Sequence, residues 1–208
     1  MKEKTTKDWV GGTNSSFKNI GATNHSPNER EKNDYYATEP KAVRLLLEIE
    51  KFEGTIWECA CGEGHLSEEM IRLGYDVFSS DIIDRNYKNI HLKNEDFLSS
   101  RDENKRLLNW NIITNPPYKY ANQFIEKALE IIEIGKKVAF FLPIRYLETK
   151  SRKVIFEKYP PIRVHVSSSR LKCAMNGDFE KMANSAVCYA WFVWQKGHTG
   201  TTELKLFN

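Results

Sequence analysis

Scarcities narrow this chain of 208 residues before any motif does. It has four cysteines, Cys59, Cys61, Cys173 and Cys188, and their spacing contains no Cys-x2-Cys pair or other zinc pattern. The five histidines, His25, His65, His91, His165 and His198, are scattered, so no metal set is expected from them. No apolar run approaches membrane-spanning length. Met1-Lys2-Glu3-Lys4 is followed by polar residues where a signal peptide would carry its apolar core. The expectation is a soluble cytoplasmic protein with reduced thiols, without a membrane or metal partner. An excess of one charge sign is missing too. Lys and Arg number 31 against 28 Asp and Glu, a net charge of +3 that neither demands nor excludes nucleic acid. There is no internal repeat.

The length suits one sizeable domain with a proper core. Residues 1–33 are rich in Lys, Asn, Ser, Thr and Gly with almost no apolar periodicity, and read as a flexible arm ahead of a single domain over 34–208. Pro40 opens an amphipathic helix through Ala42, Val43, Leu45, Leu46, Leu47 and Ile49, since proline is tolerated in a first turn. Strand-like runs follow at 55–59, 75–80, 89–92, 110–114 and 137–142. Helical patterns separate most of them, at 65–73 with Gly74 as stop, near 102–108, and at 121–134 with Gly135 as stop. That alternation predicts an α/β fold with a mainly parallel sheet covered on both faces. After a helix around 148–158, the runs 162–167 and 185–195 read as antiparallel strands at one edge. Trp191, Phe192 and Trp194 in the last run read as core.

Two loops carry chemistry. Glu58-Cys59-Ala60-Cys61-Gly62-Glu63-Gly64-His65 is a glycine turn between strand and helix, where α/β folds bind ligands. A dinucleotide fingerprint would place a third glycine where Ser67 stands, and Glu58 and Glu63 would oppose a pyrophosphate. A carboxylate beside close-approach glycines suits a cationic amino group or sulfonium instead. Asp81 ends the second strand, the place for a carboxylate gripping ribose hydroxyls, and Ile82 beside it would seat a purine. Asp96-Phe97 after the third strand could read an adenine amino group and cover its ring. Asn115-Pro116-Pro117-Tyr118 follows the apolar run 110–114. An exocyclic amino group is a poor nucleophile because its lone pair is delocalised. The Asn115 side-chain oxygen and the Pro116 carbonyl can together accept from one NH2 and favour a tetrahedral nitrogen. The two prolines stiffen that carbonyl and offer no competing N–H. Tyr118 supplies a flat face for the ring that carries the amine. Each feature alone has a bland alternative, a Pro-Pro turn or a helix-capping acid. Their succession at strand ends argues for a ligand site.

With these residues in view, 34–195 resembles the S-adenosylmethionine-dependent amino-group methyltransferases, most closely the small phage-type DNA adenine-N6 methyltransferases. Asp34-Tyr35-Tyr36-Ala37-Thr38-Glu39-Pro40 is similar to the segment that folds over the methionine part of the cofactor in that family. The resemblance implies a Rossmann-like methyltransferase fold. It also implies an S-adenosylmethionine site lined by Tyr36, Thr38, Glu58, Cys61, Gly62, Gly64, Asp81, Ile82, Asp96, Phe97 and Asn115, with Phe124 reaching its edge. The reaction implied is methylation of adenine N6 in DNA, with Asn115, Pro116, Pro117 and Tyr118 catalytic. No covalent intermediate is needed.

Larger members carry a separate target-recognition domain, and here only the arm and the stretch after Leu142 remain for that role. Between Arg145 and Asn184 nine Lys or Arg face four acids, an excess of +5, and Ser167-Ser168-Ser169-Arg170 adds hydroxyls suited to phosphate. A solvated helix and loop is the plain alternative. RNA adenine and a protein glutamine stay open as substrates, because the same tetrapeptide polarises any amide-like NH2. Residues 1–33 cannot supply the additional helical domain usual in glutamine methyltransferases. A non-catalytic nucleic-acid-binding protein with this fold is the rival from another class. Nuclease chemistry lacks an acidic cluster ending in Glu-x-Lys.

Overall fold

The computed structural model describes residues 35–99, 109–175, 179 and 187–208. The arm 1–33 and the expected short helix near 102–108 lie outside the described residues. Ten strands and four α-helices follow in the order β1 (Tyr36–Thr38), α1 (Pro40–Ile49), β2 (Ile56–Glu58), α2 (His65–Arg72), β3 (Val77–Asp81), β4 (Leu92–Lys93), β5 (Asn111–Thr114), α3 (Ala121–Ile131), β6 (Lys137–Pro143), α4 (Lys150–Lys158), β7 (Arg163–Ser167), β8 (Cys173–Met175), β9 (Tyr189–Gln195) and β10 (Glu203–Phe207). Short 3-10 turns span Tyr118–Tyr120 and Ile144–Leu147.

Eight strands form one sheet in the order β4-β3-β2-β5-β6-β9-β7-β10. Neighbours are parallel except at β9, which runs antiparallel to both β6 and β7. The fold is the mixed α/β arrangement expected. The chain moves outward one way from β2 to β3 and β4, and the other way from β2 to β5 and β6. The carboxyl ends of β2 and β5 therefore flank the switch point, where such sheets open a crevice.

Helices cover both faces because the central strands are apolar on both. Ala42, Val43 and Leu46 of α1, with Leu66 and Met70 of α2, pack on Ile56, Ile113, Ala139, Phe141 and Trp191. On the opposite face Phe124, Ile125 and Ala128 of α3 and Ile155 of α4 pack on Trp57, Ile112, Val138, Phe140, Phe192 and Trp194. Trp191 Nε1–H donates to the Ala42 carbonyl at 2.9 Å and Trp194 Nε1–H to that of Tyr159 at 2.9 Å, so each buried indole keeps its hydrogen bond. Reading these residues as core is borne out.

Several expected boundaries move. Tyr75 belongs to the helix stop rather than to a strand, because Gly74 turns at φ +88° and the Tyr75 N–H bonds back to Met70. The third expected strand shrinks to Leu92–Lys93, and α4 starts at Lys150. The two late runs do pair antiparallel, but β9 is slotted between β6 and β7 and does not form an edge. The edge belongs to β10, which sequence periodicity did not reveal. A separate two-stranded ribbon joins β1 to β8, pairing Tyr36 with Met175, Ala37 with Ala174 and Thr38 with Cys173. No helix among the described residues is long and apolar enough to cross a membrane.

Candidate active site

The glycine turn after β2 is built by backbone bonds to its neighbour strand. Cys61 N–H donates to the Ser80 carbonyl at 3.0 Å, and Gly62 N–H to Asp81 Oδ2 at 2.7 Å. Gly62 and Gly64 sit at φ +58° and +84°, a region glycine enters without strain. Space also demands them, since a Cβ at Gly62 would collide with the Tyr35 ring and one at Gly64 with the Tyr87 ring. Tyr35 lies against the turn, its hydroxyl accepting the Glu63 N–H at 3.2 Å and the Arg85 guanidinium stacked 4.1 Å from its ring centroid.

Asp81 is buried at the end of β3, its other oxygen accepting the Ile83 N–H at 2.8 Å. Each carboxylate oxygen retains a second lone pair for a ligand hydroxyl. Ile82 next to it is 57% exposed, an apolar side chain that the fold leaves uncovered.

Glu58 differs from its expected part as an open counter-ion. Its side chain is buried and accepts from Ser67 Oγ, with the Ser79 hydroxyl 2.7 Å from that of Ser67. Burial pushes the carboxyl up to about 8 against the hydrogen bond from Ser67, and the Asp81 charge adds to the rise. At neutral pH it is therefore mainly protonated. The serine in place of a third glycine is thus structural, since its hydroxyl clips α2 to the ends of β2 and β3. Burial also raises the thiols of Cys59 and Cys61, which stay neutral and inside.

Asp96 turns its carboxylate to the Leu98 N–H at 3.0 Å, while Phe97, 2% exposed, sits 5.2 Å from Trp57 and 4.9 Å from Phe124. The expectation that Phe97 covers a ligand ring meets a side chain committed to the core. Phe124 is committed with it.

The tetrapeptide after β5 lies beside the β1–β8 ribbon. Asn115 Nδ2 donates to the Tyr36 carbonyl at 3.0 Å and to Cys173 Sγ at 3.4 Å, whereas its Oδ1 is buried with no hydrogen-bond partner. Pro116 is buried and Pro117 half-buried. The Tyr118 hydroxyl meets Cys173 Sγ at 3.6 Å and its ring is 6.4 Å from that of Tyr189. Burial raises Tyr118 well above the usual phenol range, so it remains a neutral donor. Thr38 is buried, 3.8 Å from the same sulfur. Tyr35 against Gly62 and Tyr36 against Asn115 are consecutive residues, so one short segment touches both the glycine turn and the tetrapeptide. Cys173, Ser67 and Tyr189 carry no local sequence signal for this neighbourhood; only the tertiary pairing reveals them. Among the described residues no group of three or more His, Cys, Asp or Glu is placed to hold a metal ion.

The basic stretch divides by position along the sheet. Arg145, Lys150, Arg152 and Lys153 follow the carboxyl end of β6, and Arg170 and Lys172 follow that of β7, all on the tetrapeptide's side. Arg163 begins β7 at the opposite end and is bound to Glu50, and Lys158 closes α4 paired with Glu126 at 3.0 Å. These two do not join the basic surface. Lys181 lies outside the described residues. The Ser167 hydroxyl donates to the Ser169 carbonyl at 2.6 Å, and Ser169 Oγ accepts from Asn208, so both hydroxyls already have partners.

No protein-family model matches the chain, and no curated protein matches it in sequence. Solved structures do match in shape. A candidate class I S-adenosylmethionine-dependent methyltransferase from Listeria monocytogenes superimposes with TM-score 0.53 at 15% identity, covering 80% of this chain and 62% of that one. A candidate RNA methyltransferase from Pyrococcus horikoshii gives 0.55 at 16% identity, covering 77% and 86%. The M protein of the type I restriction enzyme EcoKI gives 0.54 at 13%, covering 81% and 45%. This chain therefore spans less than two thirds of the first and under half of the third. The fold is the Rossmann-like fold of class I S-adenosylmethionine-dependent methyltransferases.

Proposed function

We propose that this protein transfers a methyl group from S-adenosylmethionine to the exocyclic N6 amino group of adenine in DNA. One observation carries the reading: Asn115 has both amide hydrogens engaged and its oxygen held without a donor. A buried acceptor left unpaired costs about 1–3 kcal/mol, and the substrate's N–H would remove that cost. Bonds from the base amine to Asn115 Oδ1 and the Pro116 carbonyl draw the nitrogen lone pair out of the ring as positive charge develops. An asparagine amide is no base at neutral pH, so the proton released from nitrogen passes to water.

S-adenosylmethionine, when bound, supplies an electrophilic methyl on its sulfonium sulfur. The residues around the glycine turn fit such a ligand. Asp81 keeps lone pairs for the ribose hydroxyls and exposed Ile82 offers an apolar seat for the purine, while Gly62 makes room for the Tyr35 ring against the turn. Tyr36 and Thr38 lie in the ribbon that meets the tetrapeptide, and Asp96 follows the carboxyl end of β4. Glu58 acts from beneath through Ser67 rather than by direct contact.

DNA is favoured as the carrier by the cations after β6 and β7, which lie at the same end of the sheet as the tetrapeptide and would suit a polyanion. The restriction-enzyme M protein of the same fold supports it too. The test is incubation of the full chain with methyl-labelled cofactor and DNA, RNA or protein, followed by digestion and identification of the product. Label in N6-methyladenine from DNA is the expected result. Label in RNA or in glutamine moves the substrate while keeping the chemistry, and binding of cofactor without transfer to any of the three overturns the proposal.

A further inference from the structure

The Asn115 side chain has two N–H bonds and one oxygen, and nothing in asparagine itself decides how the planar amide is turned. Two neighbours from distant parts of the chain decide it here. The Tyr36 carbonyl, 3.0 Å from Nδ2, can only accept, so that end of the amide must be the NH2. Cys173 Sγ, 3.4 Å away, lies in reach of the second hydrogen. Strand pairing sets both, because β1 and β8 hold Thr38 opposite Cys173 and carry Tyr36 two residues away.

We propose that Cys173 is a positioning residue for Asn115: its thiol takes the second amide N–H and engages the Tyr118 hydroxyl, keeping Asn115 Oδ1 free for the substrate amine. The sulfur sits among Asn115 Nδ2 at 3.4 Å, Tyr118 OH at 3.6 Å, the Tyr36 carbonyl at 3.7 Å and Thr38 Oγ1 at 3.8 Å, and the Tyr189 hydroxyl bonds to it as well. These separations suit a large, polarizable atom and exceed the 2.7–3.0 Å usual for hydroxyl bonds by roughly 0.5 Å or more. Without the sulfur, the amide keeps the Tyr36 carbonyl but gains freedom about its terminal bond, and the Tyr118 hydroxyl is left to its other partner, the Tyr189 hydroxyl. Rotation of the amide turns away the acceptor that the reaction needs. Burial raises the Cys173 thiol, which therefore stays uncharged and places no anion beside the amide.

The catalytic consequence rests on the methyl-transfer reading, whereas the geometry does not, and two measurements separate them. In the full chain, the side-chain 1H–15N signals of Asn115 report its hydrogen bonds directly. Cys173→Ala is expected to speed exchange of those amide hydrogens with water about fivefold to tenfold, the factor that one net hydrogen bond supplies. Measured well below the melting range, it should lower kcat by a similar factor, with cofactor KM little changed. Cys173→Ser returns an acceptor on a shorter bond, leaving contacts longer than ordinary hydroxyl bonds, and is expected to recover only part of both. If the alanine variant does not stay folded, Cys173→Val fills the volume without an acceptor and carries the same expectation. Unchanged Asn115 exchange in the alanine or valine variant overturns the inference. A wild type that methylates no adenine sinks the substrate reading, yet the exchange measurement still decides the role of Cys173.

Discussion

Two asparagines stand at opposite ends of the same central strand, and they are treated in opposite ways. Asn111 opens β5. Its Nδ2 donates to the Glu53 carbonyl at 2.9 Å and its Oδ1 accepts the Lys137 N–H at 2.9 Å, so both ends of the amide are satisfied. Asn115 follows the strand's carboxyl end with its amine doubly bound and its oxygen bound to nothing. The surroundings repeat the contrast. Beside Asn111, the buried Glu50 carboxylate is gripped by Arg163, by Lys137 at 2.8 Å and by His165 at 2.9 Å. Burial alone would raise Glu50, but the hydrogen bonds from His165, Arg163 and Lys137 hold it well below the usual carboxylate range. Beside Asn115, Glu58 is equally buried with a single hydroxyl donor, and its carboxyl rises instead. One end of the sheet uses its polar groups to hold the strands together. The other leaves groups poised for something that arrives from outside.

The largest expected effect tests the closed end. Glu50→Ala strands two cations around a cavity and should reduce stability by about 3–5 kcal/mol, read as a lower urea midpoint at constant slope. Glu50 ionises more readily folded than unfolded, so its contribution is full above its ordinary value of 4.5 and drains away as pH falls below it. A loss below about 1 kcal/mol would mean that the cluster is solvated and the contrast false.

Next comes Asn115→Ala, which removes an acceptor needed mainly as charge builds on nitrogen. Methyl transfer should slow by about 10² to 10³ while affinity for S-adenosylhomocysteine barely moves. Near wild-type turnover would strip the open end of its proposed meaning.

Asn111→Ala sharpens the comparison, since it removes the same side chain from the other end of the strand. Leaving the Lys137 N–H and the Glu53 carbonyl without their partner should cost about 1–3 kcal/mol of stability. The rate measured well below the melting range should be unchanged.

The last test, a pH dependence and not a fixed loss, concerns Glu58→Gln, compared with wild type by melting curves from about pH 5 to 9, a range that brackets the shift. The Glu58 pKa is raised on folding, so the folded chain holds a proton that the unfolded chain has lost between 4.5 and about 8. Wild type should therefore lose stability relative to the glutamine variant as pH rises through that window, with no further divergence above it. A pH-independent gap would place the carboxyl in solvent.

What the sequence revealed depended on how local the physics was. Pro40 and Gly74 mark helix ends by backbone constraints of their own, and both work as read. Asn115 and Asp81 stood out in the sequence because both fall at the carboxyl ends of parallel strands, where α/β sheets open a crevice. Phe97 was misjudged because nothing local tells which way an aromatic turns, and Trp57 and Phe124 approach it from other elements. Charge counting placed Arg163 with the other cations. Pairing with Glu50, 113 positions away, takes it to the far end of the sheet. The ribbon of β1 and β8 was invisible for a related reason: three residues are too few to show a period, and the partner lies beyond any sequence window. In β10 a two-residue alternation does exist, Glu203-Leu204-Lys205-Leu206, but its leucines face outward, Leu206 at 71% exposure, so the usual inward reading fails.

The ribbon also sets a schedule. Tyr36 and Cys173 grip one amide from 137 positions apart, so contacts of long sequence separation finish the site. Closing so long a loop costs entropy that nearby strands do not offset until they have formed. A growing chain that has just passed Tyr118 already carries the glycine turn, the tetrapeptide and the Tyr36 carbonyl, yet lacks the second half of the clamp on Asn115. Only when β8 has emerged, and β9 has slid between β6 and β7, do the two halves of the clamp meet. The orientation of Asn115 is thus completed by a late segment of the chain working on an early one.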